Sequence, residues 1–149
     1  MRRINKIIIH CSASDDPAHD NLEAIKDLHT SPPSKEFKWG KYTTNGRGWS
    51  DVGYHFFISK DGVLFNGRPE NIIGAHVRGH NRDSIGICLS GEGDLPTAEQ
   101  SKTLESICKD LCKRYALSKM DIIGHNDLDN KKTCPNFDVH ELVSSWDWH

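Results

Sequence analysis

The chain has no long apolar run and no surplus of positive charge, and each of these shortages excludes a class of protein. None of its apolar stretches approaches the ~20 residues that a membrane-spanning helix needs, so we expect no membrane insertion. Its 19 Lys and Arg residues are outnumbered by 21 Asp and Glu residues, which gives a formal net charge of −2. A chain without a basic surplus is not expected to bind nucleic acid.

The chain also lacks the cysteine pattern of a disulfide-stapled protein. Its five cysteines are odd in number and follow no small-scaffold spacing, which favours synthesis in a reducing compartment. A chain of 149 residues can bury roughly 70% of its extended surface, so it needs no disulfide to fold. The apolar run Ile7–Ile9 is too short for a signal peptide. We therefore expect a cytoplasmic protein as synthesised, which needs a separate route of release to act outside the cell.

Hydrophobic periodicity predicts a single α/β domain over residues 1–149. The predicted strands cover residues 6–10, 52–59, 63–65, 84–90 and 122–123. The predicted helices cover residues 21–29, 97–115 and 137–146, the second of them opened by a capping box at Thr97–Gln100. This order predicts a mixed central sheet of about five strands flanked by helices.

Three features carry further expectations about local structure. Residues 31–50 have no sustained period and predict a long surface loop, which is either functional or a decorative insertion. Alternation along the second predicted strand places Tyr54 on the same face as Phe56 and Ile58. Gly86, inside a predicted buried strand, indicates that another group approaches the backbone closely there.

Three residues that bind soft metals lie at one predicted edge of the sheet. His10 ends the first strand, His125 follows the last one, and Cys134 closes the loop after it, two residues beyond Lys132. If the two strands are parallel neighbours, the imidazoles converge and the loop returns Cys134 to them. Such a His-His-Cys set leaves a fourth tetrahedral position for water, as in catalytic zinc sites. The alternative is that His10 only ends a buried strand.

Seven short segments match the pattern of one enzyme family, in the family's order along the chain. They are IIIHCSA (7–13), GWSDVGYHFF (48–57), DG (61–62), GAHVRGHN (74–81), SIGI (84–87), GH (124–125) and KTCPNF (132–137). This set resembles the zinc-dependent type 2 N-acetylmuramoyl-L-alanine amidases, most closely the single-domain phage lysozymes (endolysins) and more distantly the peptidoglycan recognition proteins. The segment from Ser31 to Arg47 departs from the short phage enzymes and is expected near the rim of the substrate groove.

The resemblance implies hydrolysis of the amide bond between N-acetylmuramic acid and L-alanine in peptidoglycan. It implies one catalytic Zn²⁺ held by His10, His125 and Cys134, in a surface groove at the strand ends. Tyr54 and Lys132 match the family's non-ligand catalytic pair. His76 matches a histidine that lines the family's substrate groove. Trp49, Arg78 and Asn81 are weaker candidates for substrate binding, and the alternative for each is a structural role.

The expected biological role is lysis of a bacterial cell wall by a monomeric phage or prophage enzyme that a holin or another route releases. Two alternatives stay open: a cytosolic amidase that trims recycled muropeptides, and a module that binds peptidoglycan without cutting it. Family members that only bind usually lack the cysteine ligand, whereas Cys134 is present here. Peptidoglycan or a muropeptide is the one partner that the sequence leads us to expect.

Overall fold

The computed structural model describes residues 2–93 and 95–148. Within them the strands are Lys6–Cys11 (β1), Glu36–Trp39 (β2), Tyr42–Asn45 (β3), Phe56–Ile58 (β4), Leu64–Asn66 (β5), Ser84–Leu89 (β6) and Ile122–Gly124 (β7). The α-helices are Leu22–Thr30 (α1), Ala98–Tyr115 (α2), His125–Leu128 (α3) and Val139–Ser144 (α4). Short 3-10 turns cover Pro17–His19 and Lys119–Asp121.

Five of these strands form the central sheet, in the order β5-β4-β6-β1-β7. β1 lies parallel to both β6 and β7, and β4 is parallel to β6 but antiparallel to β5. The predicted mixed α/β sheet is therefore confirmed. Ile9 pairs with Gly124 across β1 and β7, so His10 and His125 leave the sheet side by side at the same edge.

Apolar side chains fill both faces of this sheet. Ile7, Ile8 and Ile9 are completely buried, which the continuous β-branched run of β1 requires. One face packs against α2 and α4 in a cluster that includes Leu104, Leu111, Val139 and Val143. The other face packs against α1 and the β2–β3 pair in a cluster that includes Ile25, Leu28 and Trp39. No helix among the described residues is long and apolar enough to span a membrane.

Two of the three predicted helix starts are confirmed by their caps, while the third helix begins at Val139 instead of residue 137. The Asn21 side chain accepts a hydrogen bond from the backbone N–H of Ala24 at the start of α1. At the start of α2, Thr97 and Gln100 exchange the two hydrogen bonds of a capping box. Each cap satisfies backbone N–H groups that have no partner inside the helix.

The prediction of one long loop over residues 31–50 is wrong in part, because this stretch contains the antiparallel β2–β3 hairpin. Trp39 pairs with Tyr42 beside a turn at Gly40, whose φ of +60° favours glycine. Trp39 is 5% exposed and stacks on His19 at 3.9 Å between ring centroids. The hairpin is therefore stabilised by contacts with a distant part of the chain, which local periodicity does not report.

The predicted face of Tyr54 is also wrong. Strict alternation holds only inside a hydrogen-bonded strand, and β4 begins at Phe56. Before it, Gly53 donates its N–H to the imidazole of His29 instead of to a strand neighbour. Tyr54 accordingly packs with the cluster of Phe57, on the opposite face from Phe56.

Candidate active site

The three predicted metal ligands converge at the sheet edge. The ligand atoms of His10, His125 and Cys134 all lie within 4.8 Å of one another. Tetrahedral zinc with bonds of about 2.0 to 2.3 Å places its ligands about 3.5 Å apart, so small side-chain rotations are enough to close this cluster around one ion. The His10 and His125 rings lie 4.9 Å apart between centroids.

Backbone hydrogen bonds hold the loop that carries the cysteine. The N–H of Asn126, in the first turn of α3, donates to the carbonyl of Cys134 at 2.9 Å. The N–H of Cys11, the residue after His10, donates to Cys134 Sγ at 3.0 Å. The loop from α3 is thus tied back to β1, and its cysteine lies against the strand end that supplies the first histidine.

The chemistry of this donor set fits a divalent soft metal. Burial, followed by the proximity of His76 and His125, lowers the pKa of His10 well below its usual value, and a neutral imidazole is the form that binds metal. A hydrogen bond to Cys11 and burial raise the pKa of the Cys134 thiol. A bound cation opposes that rise because it stabilises the thiolate.

Two of these ligands, His125 and Cys134, line an open groove of about 610 Å³. One wall comes from the end of β1 and the loop of Cys134, and the other from α1 and the β2–β3 hairpin. The lining residues are Cys11, Ser12, Ala13, Ile25, Leu28, His29, Trp39, Tyr42, Thr43, Thr44, Arg47, Tyr54, His125, Lys131, Lys132, Thr133 and Cys134. Three of these side chains are cationic and none is a carboxylate, so the described lining favours an anionic ligand.

Tyr54 and Lys132, the predicted catalytic pair, both line this groove. The Tyr54 ring lies 5.2 Å from that of His10 between centroids, and burial raises the pKa of its hydroxyl well above the usual value. Lys132 is exposed, and after burial its charge is the next cause that lowers the pKa of His125. Lys131 also lines the groove, but the charge that acts on the ligand His125 is that of Lys132.

Four residues with weaker substrate-binding predictions lie outside the groove lining. Asn81 Oδ1 accepts the backbone N–H groups of His76 and Val77, which folds its own loop. His76 Nδ1 lies 2.9 Å from His10 Nε2, behind the ligand. The Trp49 ring packs edge-on against His29, and Arg78 is exposed on the loop of His76. Their substrate contacts remain predictions.

Sequence reasoning missed several groove residues, notably His29, Trp39, Tyr42 and Arg47. His29 is 7% exposed, and burial, followed by the charges of Arg47 and Arg68, lowers its pKa to about 4. Its place on the apolar face of α1 indicates only packing. The other three belong to the segment that departs from the short phage enzymes. In that segment the positive charge of Arg47, its last residue, was the one sequence feature that could have indicated a groove contact.

Comparison with known proteins identifies the family. The sequence matches the N-acetylmuramoyl-L-alanine amidase family over residues 1–137. The chain belongs to the N-acetylmuramoyl-L-alanine amidase family. Among individual proteins, this amidase is 32% identical to an endolysin of Klebsiella phage KP32, over 95% of this chain and 90% of that one.

Two further relatives extend the comparison. An amidase endolysin structure, LysCS from Clostridium intestinale, superimposes with a TM-score of 0.77 at 28% identity, covering 96% of this amidase and 83% of that chain. Peptidoglycan-recognition protein LB of Drosophila melanogaster is 34% identical, but only over 67% of this amidase and 44% of that protein. In sequence, the amidase is therefore similar to phage endolysins over most of its length and to this recognition protein over a smaller part.

Proposed function

We propose that this amidase uses one Zn²⁺ to cut the amide bond between N-acetylmuramic acid and L-alanine, and that it serves in lysis of the bacterial cell wall. One observation carries the proposal: the ligand atoms of His10, His125 and Cys134 lie within 4.8 Å of one another, and His125 and Cys134 line an open groove. Tyr54 and Lys132 line the same groove. A binding module without catalysis has no use for this combination of a soft-metal donor set and two polar groups.

His10, His125 and Cys134 would hold the ion and leave its remaining position open to the groove. When bound, zinc supplies Lewis acidity towards a carbonyl oxygen and lowers the pKa of water. A His-His-Cys set with an open fourth position is typical of catalytic rather than structural zinc.

The two other side chains have separate tasks in amide hydrolysis. Attack on the carbonyl carbon places negative charge on its oxygen, and the ammonium of Lys132 stabilises that charge from the groove wall. The Tyr54 hydroxyl keeps its proton, since burial raises its pKa, so it acts as a hydrogen-bond donor. The C–N bond then breaks, water supplies the oxygen of the new lactyl carboxylate, and a proton goes to the released amine of L-alanine.

The charge of the groove suits a peptidoglycan stem peptide. Arg47, Lys131 and Lys132 line it without a facing carboxylate among the described lining residues. Stem peptides carry free carboxylates, so a cationic groove holds the peptide while the amide lies at the metal end. Endolysins are among the relatives with similar sequence, which supports a role in wall lysis.

The deciding experiment measures release of L-alanine amino termini from purified peptidoglycan. We expect release that a chelator stops and added Zn²⁺ restores, with no new reducing sugar ends. Release that resists complete metal removal would contradict the zinc requirement. Binding to peptidoglycan without release would mean that the chain is a binding module.

A second experiment separates lysis from recycling. Intact sacculi and soluble anhydro-muropeptides are supplied at equal concentrations of cleavable amide. A lytic enzyme should clear the sacculi at a rate comparable with its turnover of the soluble substrate. Turnover of the soluble substrate alone would assign the amidase to muropeptide recycling.

A further inference from the structure

A line of hydrogen-bonding groups runs from the candidate ligand His10 away from the groove. His10 Nε2 lies 2.9 Å from His76 Nδ1. His76 Nε2 in turn lies 3.3 Å from Ser84 Oγ, and Ser84 Oγ donates to the carbonyl of His80 at 2.7 Å. The Nε2 atom of each imidazole thus contacts the next group: that of His10 contacts His76, and that of His76 contacts Ser84.

The last contact sets the direction of every hydrogen bond before it. The single hydroxyl hydrogen of Ser84 goes to the carbonyl of His80, because that contact is the shorter one and a carbonyl offers no hydrogen. The hydrogen between Ser84 and His76 must therefore sit on His76 Nε2. A neutral His76 then has a bare Nδ1, which accepts the Nε2 hydrogen of His10.

We propose that His76 is a positioning residue, which holds His10 as the Nε2–H tautomer and so leaves His10 Nδ1 free to bind the metal. This inference rests on the proposed metal site, and it replaces the groove contact that the sequence predicts for His76. A second imidazole as the partner of a ligand histidine plays the part that a carboxylate or backbone carbonyl commonly plays. It orients the ring of His10 without placing a negative charge beside the metal.

The surroundings of His76 are built to hold its ring in this place. A Cβ added at Gly86 would come within 2.7 Å of the ring, and one at Gly74 within 2.8 Å. Both distances are too short for any larger residue unless the ring moves. The close approach that Gly86 indicates in the sequence is therefore the approach of the His76 imidazole. The ring also meets His55 edge-on, at 5.9 Å between centroids.

The loop that carries His76 is anchored independently of the metal ligands. Asn81 Oδ1 accepts the backbone N–H of His76 at 2.9 Å. The Arg2 guanidinium donates to the carbonyls of Glu70 and Ser84, which lie on either side of the loop. A loop fixed at both ends gives His76 one position, which is what a positioning residue needs.

The direct test reads the nitrogen atoms of His10 in the unchanged full-length chain. The protein is labelled with ¹⁵N-histidine, loaded with ¹¹³Cd²⁺ in place of zinc, and studied by NMR. We expect metal–nitrogen coupling at His10 Nδ1 and a directly bonded hydrogen at His10 Nε2. Coupling at His10 Nε2 instead would overturn the proposal.

Variants then measure what the hydrogen bond contributes. In His76→Leu the acceptor is lost, and we expect zinc affinity, measured by competition with a chelating dye, to fall about 10- to 100-fold. In His76→Asn the side-chain oxygen takes the place of Nδ1, so affinity should return close to that of the unchanged protein. Arg82→Ala alters an exposed residue of the same loop and is the matched control, for which no loss is expected.

The outcomes separate this inference from the proposed function. Equal zinc affinity in His76→Leu and the unchanged protein would overturn the positioning role. If His76→Leu does not fold, the NMR assignment of the His10 nitrogen atoms in the unchanged protein decides. If the unchanged protein binds neither Cd²⁺ nor Zn²⁺, the proposed metal site fails. The hydrogen bond from His10 to His76 is still tested in that case, because NMR of the metal-free protein shows whether His10 Nε2 carries a hydrogen.

Discussion

The two walls of the groove are built in different ways. The first, at the sheet edge, carries His10, His125 and Cys134, and its geometry follows from the parallel pairing of β1 with β7. The second combines α1 with the β2–β3 hairpin. The contacts of this hairpin with the rest of the chain include the Trp39 indole N–H, which donates to the Ser12 carbonyl at 2.6 Å. If the proposed function holds, we expect the metal chemistry at the sheet-edge wall and substrate selection at the hairpin wall.

The largest effect is expected from removing a ligand of the sheet-edge wall. Cys134→Ser replaces a thiolate by an alcohol, which is a poor zinc ligand at neutral pH. We expect stoichiometric zinc to be lost and amide cleavage to fall to background, measured by metal analysis and by release of L-alanine termini. Cys112→Ala, which alters a thiol buried on α2, should keep both zinc and turnover. Normal turnover in Cys134→Ser would remove the cysteine from the metal centre.

A smaller effect is expected from the lysine on the same wall. Lys132→Ala should keep zinc, yet lose roughly 10²- to 10³-fold in kcat, as expected when one stabilising group of a developing oxyanion is removed. Lys131→Ala is the matched control, since it removes the neighbouring groove cation and should chiefly raise KM. The reverse result, with kcat falling only in Lys131→Ala, would transfer the catalytic role to that residue.

The strands of the sheet-edge wall were predictable from local signals, whereas the ligand set followed from the resemblance to the amidase family. β-branched runs mark β1 and β7 as buried strands. His10 comes directly after the first run, and His125 comes two residues after the second. Parallel neighbours then bring the strand ends to one edge whatever the loops do. The loop of Cys134 has only to return to that edge, where the N–H of Cys11 donates a hydrogen bond to Cys134 Sγ.

The hairpin wall was not predictable because its stability lies in contacts between distant segments. Trp39 is buried by contacts with His19 and Ser12, which both lie before α1 in the chain. Tyr54 reaches the groove because the chain leaves the strand pattern just before Phe56. The partner of His76 was likewise hidden, since no sequence rule pairs one histidine with another 66 positions away.

Acid should weaken the α1 side of the groove through His29. Its imidazole accepts the N–H of Gly53 and has a pKa of about 4 in the folded protein, against about 6.5 when unfolded. Between these values the unfolded chain binds the extra proton, so the free energy of unfolding falls as pH falls, by up to about 1.4 kcal/mol per pH unit.

The test is urea unfolding at several pH values between 7 and 5. His29→Asn should reduce the slope with pH, because the amide oxygen still accepts from Gly53 but does not titrate. His55 also has a pKa lowered to about 4, mainly by burial, so part of the slope should remain in that variant. A slope identical to that of the unchanged protein would show that His29 is protonated without strain in the folded state.

The smallest effect is expected from loosening the hairpin without touching the metal. Trp39→Phe removes the indole N–H that donates to Ser12, a hydrogen bond worth about 1 kcal/mol. If the hairpin only holds substrate, KM should rise about fivefold, with kcat and zinc affinity unchanged. Lys38→Ala, on the exposed side of β2, is the control for general damage to the hairpin. A fall in kcat or in zinc affinity in Trp39→Phe would contradict this division of roles between the walls. Ser12 follows His10 by two residues, so such a result would mean that the hairpin also sets the geometry of the ligands.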